Sequence, residues 1–343
     1  MRLLEVKELS VTFPTADGVV RAVRGVSFGV DAGQTLGIVG ESGSGKSVAA
    51  MTLLGLSRGG TVSGSALFAG EDLLRMTEHE LRTVRGARVA MVFQDPLSSL
   101  HPLYKIGWQI TEGIRAHTDL SRHAAQQRTV ELLGMVGIPQ PGRRIDDYPH
   151  QFSGGMRQRV MIAMALALSP QIVIADEPTT ALDTTVQAQI LDLLHRLQRE
   201  LGMALIIITH DLGVIAQTAD DVLVMYAGRV AETAPRRDLF YRSHHPYTLG
   251  LLASVPSAVG TGRLQPIPGQ PPSPIALPPG CPFHPRCDYR MNRCATEEPA
   301  LIPVSDGSGH QSACWLPTGA LGTTPAAHAA RQFSAHRHGP VTA

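Results

Sequence analysis

The chain has 343 residues, enough for two or three compact units that each bury a core. Its 30 basic and 29 acidic residues leave a formal net charge of +1, so no global field draws it to nucleic acid or an anionic membrane surface. The first ten residues carry Arg2, Glu5, Lys7 and Glu8, which breaks the apolar core a signal peptide needs, and the longest uncharged apolar stretch, 160–175, falls short of the ~20 residues that span a bilayer. The chain is expected to stay in the cytoplasm, with any membrane association made through another subunit.

In chain order, residues 3–13 and 19–30 alternate apolar and polar side chains around Pro14, Asp17 and Gly18, which predicts a β-hairpin. An apolar run at 35–39 predicts a strand and 48–56 a helix. Between them Gly40, Glu41, Ser42, Gly43, Ser44, Gly45, Lys46 and Ser47 fit the phosphate-loop pattern G-x-x-x-x-G-K-[ST]. The glycines let the backbone curl until successive N–H groups face phosphate oxygens, and the helix start adds the positive end of its dipole. In that geometry Lys46 reaches the β- and γ-phosphates and Ser47 a Mg²⁺ ion, so a nucleoside triphosphate is the expected ligand.

Strands are predicted next at 61–68 and at 89–93, the latter running into Gln94. From 95 to about 168 the periodicity turns helical, best at 106–114, 124–136 and 158–168, which predicts a helical insertion. Residues 172–175 form a β-branched run suited to a central parallel strand, followed by Asp176 and Glu177. A helix at 186–201 leads to a strand at 204–209 that ends at His210. This alternation argues for a doubly wound α/β core. Beyond Tyr247 proline and glycine dominate without a sustained period, which predicts a loop-rich module over 251–317. From 318 the composition is Ala-, Gly- and His-rich and disorder is expected.

Asp176 ends a buried strand beside the phosphate loop, where a carboxylate can hold Mg²⁺ through water. Glu177, one step further out, is the candidate base or orienting group for a water attacking the γ-phosphate. Gln94 and His210 follow strands, where ligands collect in an α/β sheet; each alone would usually be structural, and their order among the other motifs reverses that reading. Ser153, Gly154 and Gly155, ahead of Met156, Arg157 and Gln158, put small residues at a helix start, a second anion-binding geometry.

Taken in order with Phe152, Pro178, Ala181, Leu182, Asp183, Thr209 and Asp211, these residues resemble the full motif set of the ABC-transporter ATPases over about residues 3–250. The resemblance implies a P-loop NTPase fold with an antiparallel β subdomain and a helical subdomain near 95–168 inside an ATPase domain at 1–250. It implies a head-to-tail dimer in which the phosphate loop of one subunit faces Ser153, Gly154, Gly155 and Gln158 of the other across ATP. It also implies that Phe13 stacks on adenine, Gln94 links nucleotide and Mg²⁺ to membrane subunits, Asp183 acts across the interface and His210 contacts the γ-phosphate. Phe13 reads as a core aromatic as well, and Phe152 stands where the family usually has Leu.

A narrower resemblance, to the oligopeptide/dipeptide importer branch, lies in Phe93, Gln94, Asp95, Pro96 and Leu97 to Leu100, in 152–166, and in His245, Pro246, Tyr247 and Thr248. It implies MgATP hydrolysis driving import of short peptides at the cytoplasmic face of the inner membrane. The implied partners are two transmembrane permeases, a similar but distinct second ATPase chain and an extracytoplasmic binding protein. Nickel and oligosaccharides are associated with relatives, so the cargo stays open. A soluble ABC ATPase acting on DNA or ribosomes is the rival, but such proteins carry fused cassettes or long coiled-coil insertions and this chain shows neither.

Cys281, Cys287, Cys294 and Cys314 are the only cysteines, spaced C-x5-C-x6-C-x19-C. A reducing cytoplasm disfavours disulfides, and a small module with little core can be folded by a metal or cluster. The run from Cys281 to Cys287 resembles the tail of the same importer branch, where some members are thought to hold an iron–sulfur cluster. Four thiolates suit a [4Fe–4S] cluster or Zn²⁺. The spacing matches neither a zinc ribbon nor a ferredoxin run, which leaves cluster, zinc and free or oxidised thiols open. His284 reads as a surface residue rather than a ligand.

Overall fold

The computed structural model describes residues 2–180, 182–254, 267–304 and 309–317. The predicted hairpin is β1 (Arg2–Thr15) and β2 (Gly18–Asp31). Leu4 and Val6 are buried, then Leu9 and Val11, so the inward phase slips by one residue. The slip falls at a register shift around Glu8, whose φ of 50° marks a bulge. β3 (Thr35–Val39) leads through the phosphate loop into α1 (Lys46–Leu53), and β4 (Thr61–Phe68) and β5 (Glu71–Asp72) return to β1. The result is an antiparallel sheet of order β2-β1-β4-β5.

α2 (Glu78–Val84) starts in a reciprocal cap between Thr77 and Glu80, and β6 (Val89–Val92) follows. Then come α3 (Pro96–Ser99), α4 (Ile106–Arg115), α5 (Arg122–Met135), α6 (Pro141–Arg144) and α7 (Gly154–Ala165). Ile106, Ile110 and Ile114 lie at helical spacing on α4 and are all buried with Leu132 and Leu133 of α5. The predicted helix at 158–168 begins earlier because Ser153 Oγ accepts the Met156 N–H and caps the helix at Gly154.

The remaining core elements are β7 (Ile172–Asp176), α8 (Thr184–Leu201), β8 (Ala204–Thr209), α9 (Leu212–Thr218), β9 (Asp221–Tyr226), β10 (Arg229–Pro235), α10 (Arg236–Arg242) and α11 (Pro246–Ala253). The tail adds β11 (Ile302–Pro303) and β12 (Gln311–Ser312). The main sheet has the order β11-β12-β10-β9-β3-β8-β7-β6, parallel from β9 to β6 and antiparallel beyond β9. Its central strands are apolar without alternation because both faces are covered. Val173, Ala175, Leu205 and Ile207 pack on the helical side, whereas Ile172, Ile174, Ile206 and Ile208 pack toward the antiparallel sheet. The fold is the expected α/β architecture with an antiparallel β layer and a helical insertion. The tail at 318–343, Ala181 and the proline-bearing stretch at 255–266 lie outside the described residues.

Candidate nucleotide site

β3 is buried along its whole length and delivers Gly40 to the end of the sheet, where the chain turns sharply. Gly40, Gly43 and Gly45 have φ of 154°, 78° and 97°. A Cβ on Gly40 would strike the Met225 carbonyl and one on Gly45 the Ala22 carbonyl, so the loop threads a passage that only glycine fits. Ser42 and Gly43 form its exposed tip, while Ser44 is buried. Lys46 is 5% exposed, and its Nζ donates to the carbonyls of Gly40 at 2.7 Å and Glu41 at 2.9 Å. Burial pulls the Lys46 pKa down, against the pull of Glu177, Asp176 and Glu41.

Asp176, at the end of β7, is 4% exposed and accepts from Ser47 Oγ at 3.0 Å. Burial raises its pKa, the Ser47 hydrogen bond lowers it, and Glu177 adds repulsion. A hydroxyl and a carboxylate oxygen 3.0 Å apart match neighbouring vertices of an octahedron with metal–oxygen distances of about 2.1 Å, and both are the hard donors Mg²⁺ prefers. The residues therefore fit the ion.

Glu177 has φ 45°, a left-handed conformation unusual for its type, anchored by its N–H on the Ile208 carbonyl at 2.8 Å. Its Oε2 accepts from Thr180 Oγ1 at 2.7 Å and from Gln94 Nε2 at 3.1 Å, and its Oε1 lies 3.1 Å from His210 Nδ1. Burial pushes the carboxyl up, but the bonds from Thr180 and His210, with the charges of His210 and Lys46, outweigh it and hold the pKa below the usual range. Three segments distant in sequence thus meet at one carboxylate. Thr180 was missed by sequence reasoning; its only signal is its position three residues after Glu177, where a turn brings its N–H to the Glu177 carbonyl.

The other candidates sit elsewhere. Among the described residues, the Ser153 to Gln158 segment touches the start of α8 and the preceding loop. A Cβ on Gly155 would press on Val186 Cγ1 at 2.6 Å, Gly154 faces Leu182, and Arg157 Nε donates to the Pro149 carbonyl at 3.0 Å. Gln158 is buried. Asp183 caps α8, its Oδ1 accepting the Val186 N–H at 2.9 Å. The Phe13 ring packs over Gly60 and onto the core of the antiparallel layer.

Cys281, Cys287, Cys294 and Cys314 all line one small cavity. Backbone N–H groups of Phe283 and His284 reach the Cys281 sulfur, that of Tyr289 reaches Cys287 and that of Leu316 reaches Cys314. Burial nevertheless pushes the Cys287 and Cys314 thiols up to about 11, a cost that a bound cation would remove. The expected cluster and the expected zinc site stand alike here. Among the described residues no group of three or more His, Cys, Asp or Glu side chains is arranged to hold a metal ion.

A family model described as the ABC transporter matches residues 23–180, and one described as the C-terminal region of the oligopeptide/dipeptide transporter matches residues 231–294. The chain is similar to the oligopeptide transport ATP-binding protein OppD of Bacillus subtilis (strain 168), 51% identical over 92% of this chain and 89% of that one. It is also similar to the dipeptide transport ATP-binding protein DppD of Escherichia coli (strain K12), 49% identical over 92% and 97%. Among solved structures it resembles a dimeric ATP-binding cassette in a post-hydrolysis state bound to ADP and Pi. The TM-score is 0.62 and the identity 28%, over 68% of this chain and 99% of that one.

Proposed function

Because the chain belongs to the ABC transporter family and matches its oligopeptide/dipeptide branch along most of its length, we propose that it hydrolyses ATP to energise uptake of di- or oligopeptides across the cytoplasmic membrane. The observation that carries this reading is the Glu177 carboxylate, ionised and fixed by Thr180, Gln94 and His210, beside the paired oxygens of Ser47 and Asp176.

In this mechanism the N–H groups of the loop from Gly40 through Ser42, Gly43, Ser44 and Gly45 cradle the triphosphate, and Lys46 exchanges its bonds to the loop carbonyls for phosphate oxygens. Ser47, Asp176 and Gln94 would hold Mg²⁺, which would supply positive charge to the triphosphate. Glu177 orients a water and accepts its proton while His210 contacts the γ-phosphate. Phe13 stacks on adenine. Ser153, Gly154, Gly155 and Gln158, with Asp183, close the site from a second ATPase chain, which explains why one chain carries two helix starts suited to anions. That second chain is a distinct homologue.

The membrane partners are two permeases. An apolar groove lined by Leu54, Leu56, Val89, Phe93, Met161 and Met164 lies next to Gln94 and suits a permease helix, so docking there is felt at the Glu177 carboxylate. An extracytoplasmic binding protein supplies the cargo. Among the described residues no helix is long and apolar enough to cross a membrane, and peripheral attachment at the cytoplasmic face follows from the permeases. For Cys281, Cys287, Cys294 and Cys314 we infer a [4Fe–4S] cluster, with Zn²⁺ as the alternative, because all four thiols line one small cavity.

The test compares wild type with Glu177→Gln, assembled with its permeases, for ATP turnover and for uptake of labelled di- and oligopeptides, nickel and a cello-oligosaccharide. Turnover and peptide uptake should both fall, by about 10²–10⁴-fold, while ATP still binds and a closed dimer accumulates. Wild-type turnover in the variant removes Glu177 from its role. Equal entry of every cargo in both strains removes the importer reading.

A further inference from the structure

The cysteine module reaches into the phosphate loop through one side chain. A single 3₁₀ turn, His284–Arg286, lies between Cys281 and Cys287 and is fixed by the His284 N–H on the Cys281 carbonyl at 3.0 Å. Arg286, at the end of that turn, is 8% exposed, and its guanidinium points out of the module. Nη1 donates to Glu41 Oε2 at 2.6 Å and Nη2 to Glu41 Oε1 at 2.9 Å, a bidentate pair. Nε donates to the Pro268 carbonyl at 2.8 Å, and Nη1 also reaches Tyr226 Oη at 3.3 Å.

Glu41 is the second residue of the phosphate loop and is gripped on three sides. Arg286 holds the carboxylate, Tyr247 Oη accepts the backbone N–H at 2.8 Å, and Lys46 Nζ donates to the backbone carbonyl at 2.9 Å. The scaffold for this grip is a cluster of Tyr226, Tyr247 and Phe283, with ring centroids 4.6 to 5.4 Å apart, in which Phe283 belongs to the cysteine module and the tyrosines to the core. Electrostatics makes the grip necessary. An unpaired carboxylate in this loop repels an incoming triphosphate and competes for Lys46, whose ammonium already feels the Glu41 charge. Screening by water is reduced at the Arg286 end of the pair, whose side chain is 5% exposed against 27% for Glu41.

We propose that Arg286 is a positioning residue for ATP: it neutralises and pins Glu41, which leaves the loop N–H groups and Lys46 free for the triphosphate, and it makes nucleotide binding depend on the turn between Cys281 and Cys287. This rests on the ATPase reading above and adds a role for the C-terminal module within it.

The experiment measures the ATP KM and kcat of the assembled complex for wild type, Arg286→Gln, Arg286→Lys, Glu41→Gln and the Glu41→Gln/Arg286→Gln pair. Arg286→Gln should raise KM about tenfold, within the 5–150-fold span of typical coupling, with a smaller effect on kcat. The pair should recover most of the Arg286→Gln loss, because no carboxylate remains to be neutralised, and Glu41→Gln alone gives the baseline against which the coupling is read. An unchanged KM in Arg286→Gln overturns the proposal. So does a raised KM that the pair fails to rescue, since that marks Arg286 as a structural support only. If Arg286→Gln yields no complex, Arg286→Lys carries the comparison, with a rise of a few-fold that Glu41→Gln again relieves. A Lys46→Ala control that turns over ATP like wild type would instead count against the ATPase reading.

Discussion

Glu177 shows how strongly local partners outweigh burial at a single group. Desolvation alone would push its carboxyl up, yet the hydrogen bonds from Thr180 and His210 hold it down, which favours the anion that the proposed water-orienting role requires. Removing the Thr180 donor should therefore let the pKa rise. In Thr180→Val the acid limb of the pH–rate profile of kcat/KM should shift to higher pH, because the carboxylate is then lost to protonation earlier as pH falls. An unmoved acid limb would show that Thr180 does not set the ionisation. Neighbouring Asp176 behaves oppositely: its pKa is raised by burial, and Mg²⁺ would add to the stabilisation that the Ser47 hydrogen bond and the Lys46 charge only partly provide.

At the scale of elements, α11 is informative because its N-terminus is capped by a buried imidazole. His245 Nδ1 accepts the Tyr247 N–H at 3.1 Å, and Pro246 occupies the first turn. Burial lowers the His245 pKa to about 4; Glu232 opposes the shift and His244 reinforces it. In the unfolded chain the same ring titrates near 6.5, so between about pH 6.5 and 4 the unfolded state takes up a proton that the folded state refuses. Stability is therefore full above pH 6.5 and falls as pH drops through that window, by up to roughly 3 kcal/mol at pH 4. His245→Asn keeps a capping acceptor without the titration. Its melting temperature should decline less than that of wild type between pH 7 and 5, and parallel declines would contradict the assignment.

For the whole molecule, the segment after α11 is stitched back onto the ATPase core. β12 pairs with β10, and Ala313 donates to the Ala231 carbonyl at 2.8 Å. Glu298 takes ion pairs from Arg24 of β2 and Arg229 of β10, both at 2.9 Å. His310 Nε2 lies 2.7 Å from Oε1 of fully buried Glu232. With so little regular structure of its own, the cysteine region leans on these ties, and the proposed cluster would add to them. Anaerobically purified protein should contain about four iron and four sulfide per chain, and removing them should lower the melting temperature. A metal-free chain that melts at the same temperature would exclude a structural cluster.

Much of this was legible in residue order. The phosphate loop and the runs at 172–175 and 204–209 carry their physics locally, as glycine where the backbone must curl and unbroken apolar stretches where both sheet faces are covered. The sequence by itself therefore determined the fold class, the nucleotide loop and the family. It was nearly silent on 212–253, where short elements keep no period long enough to read, and on the bulge at Glu8 that reverses the inward face of β1. Only the tertiary structure decided that Thr180 and Gln94 meet at Glu177, that the four cysteines line one cavity, and that Arg286 crosses 245 positions of sequence to hold Glu41. Those contacts join side chains far apart along the chain, or turned together by a single loop, and hydrophobic periodicity carries no record of which side chains the packed sheet brings face to face.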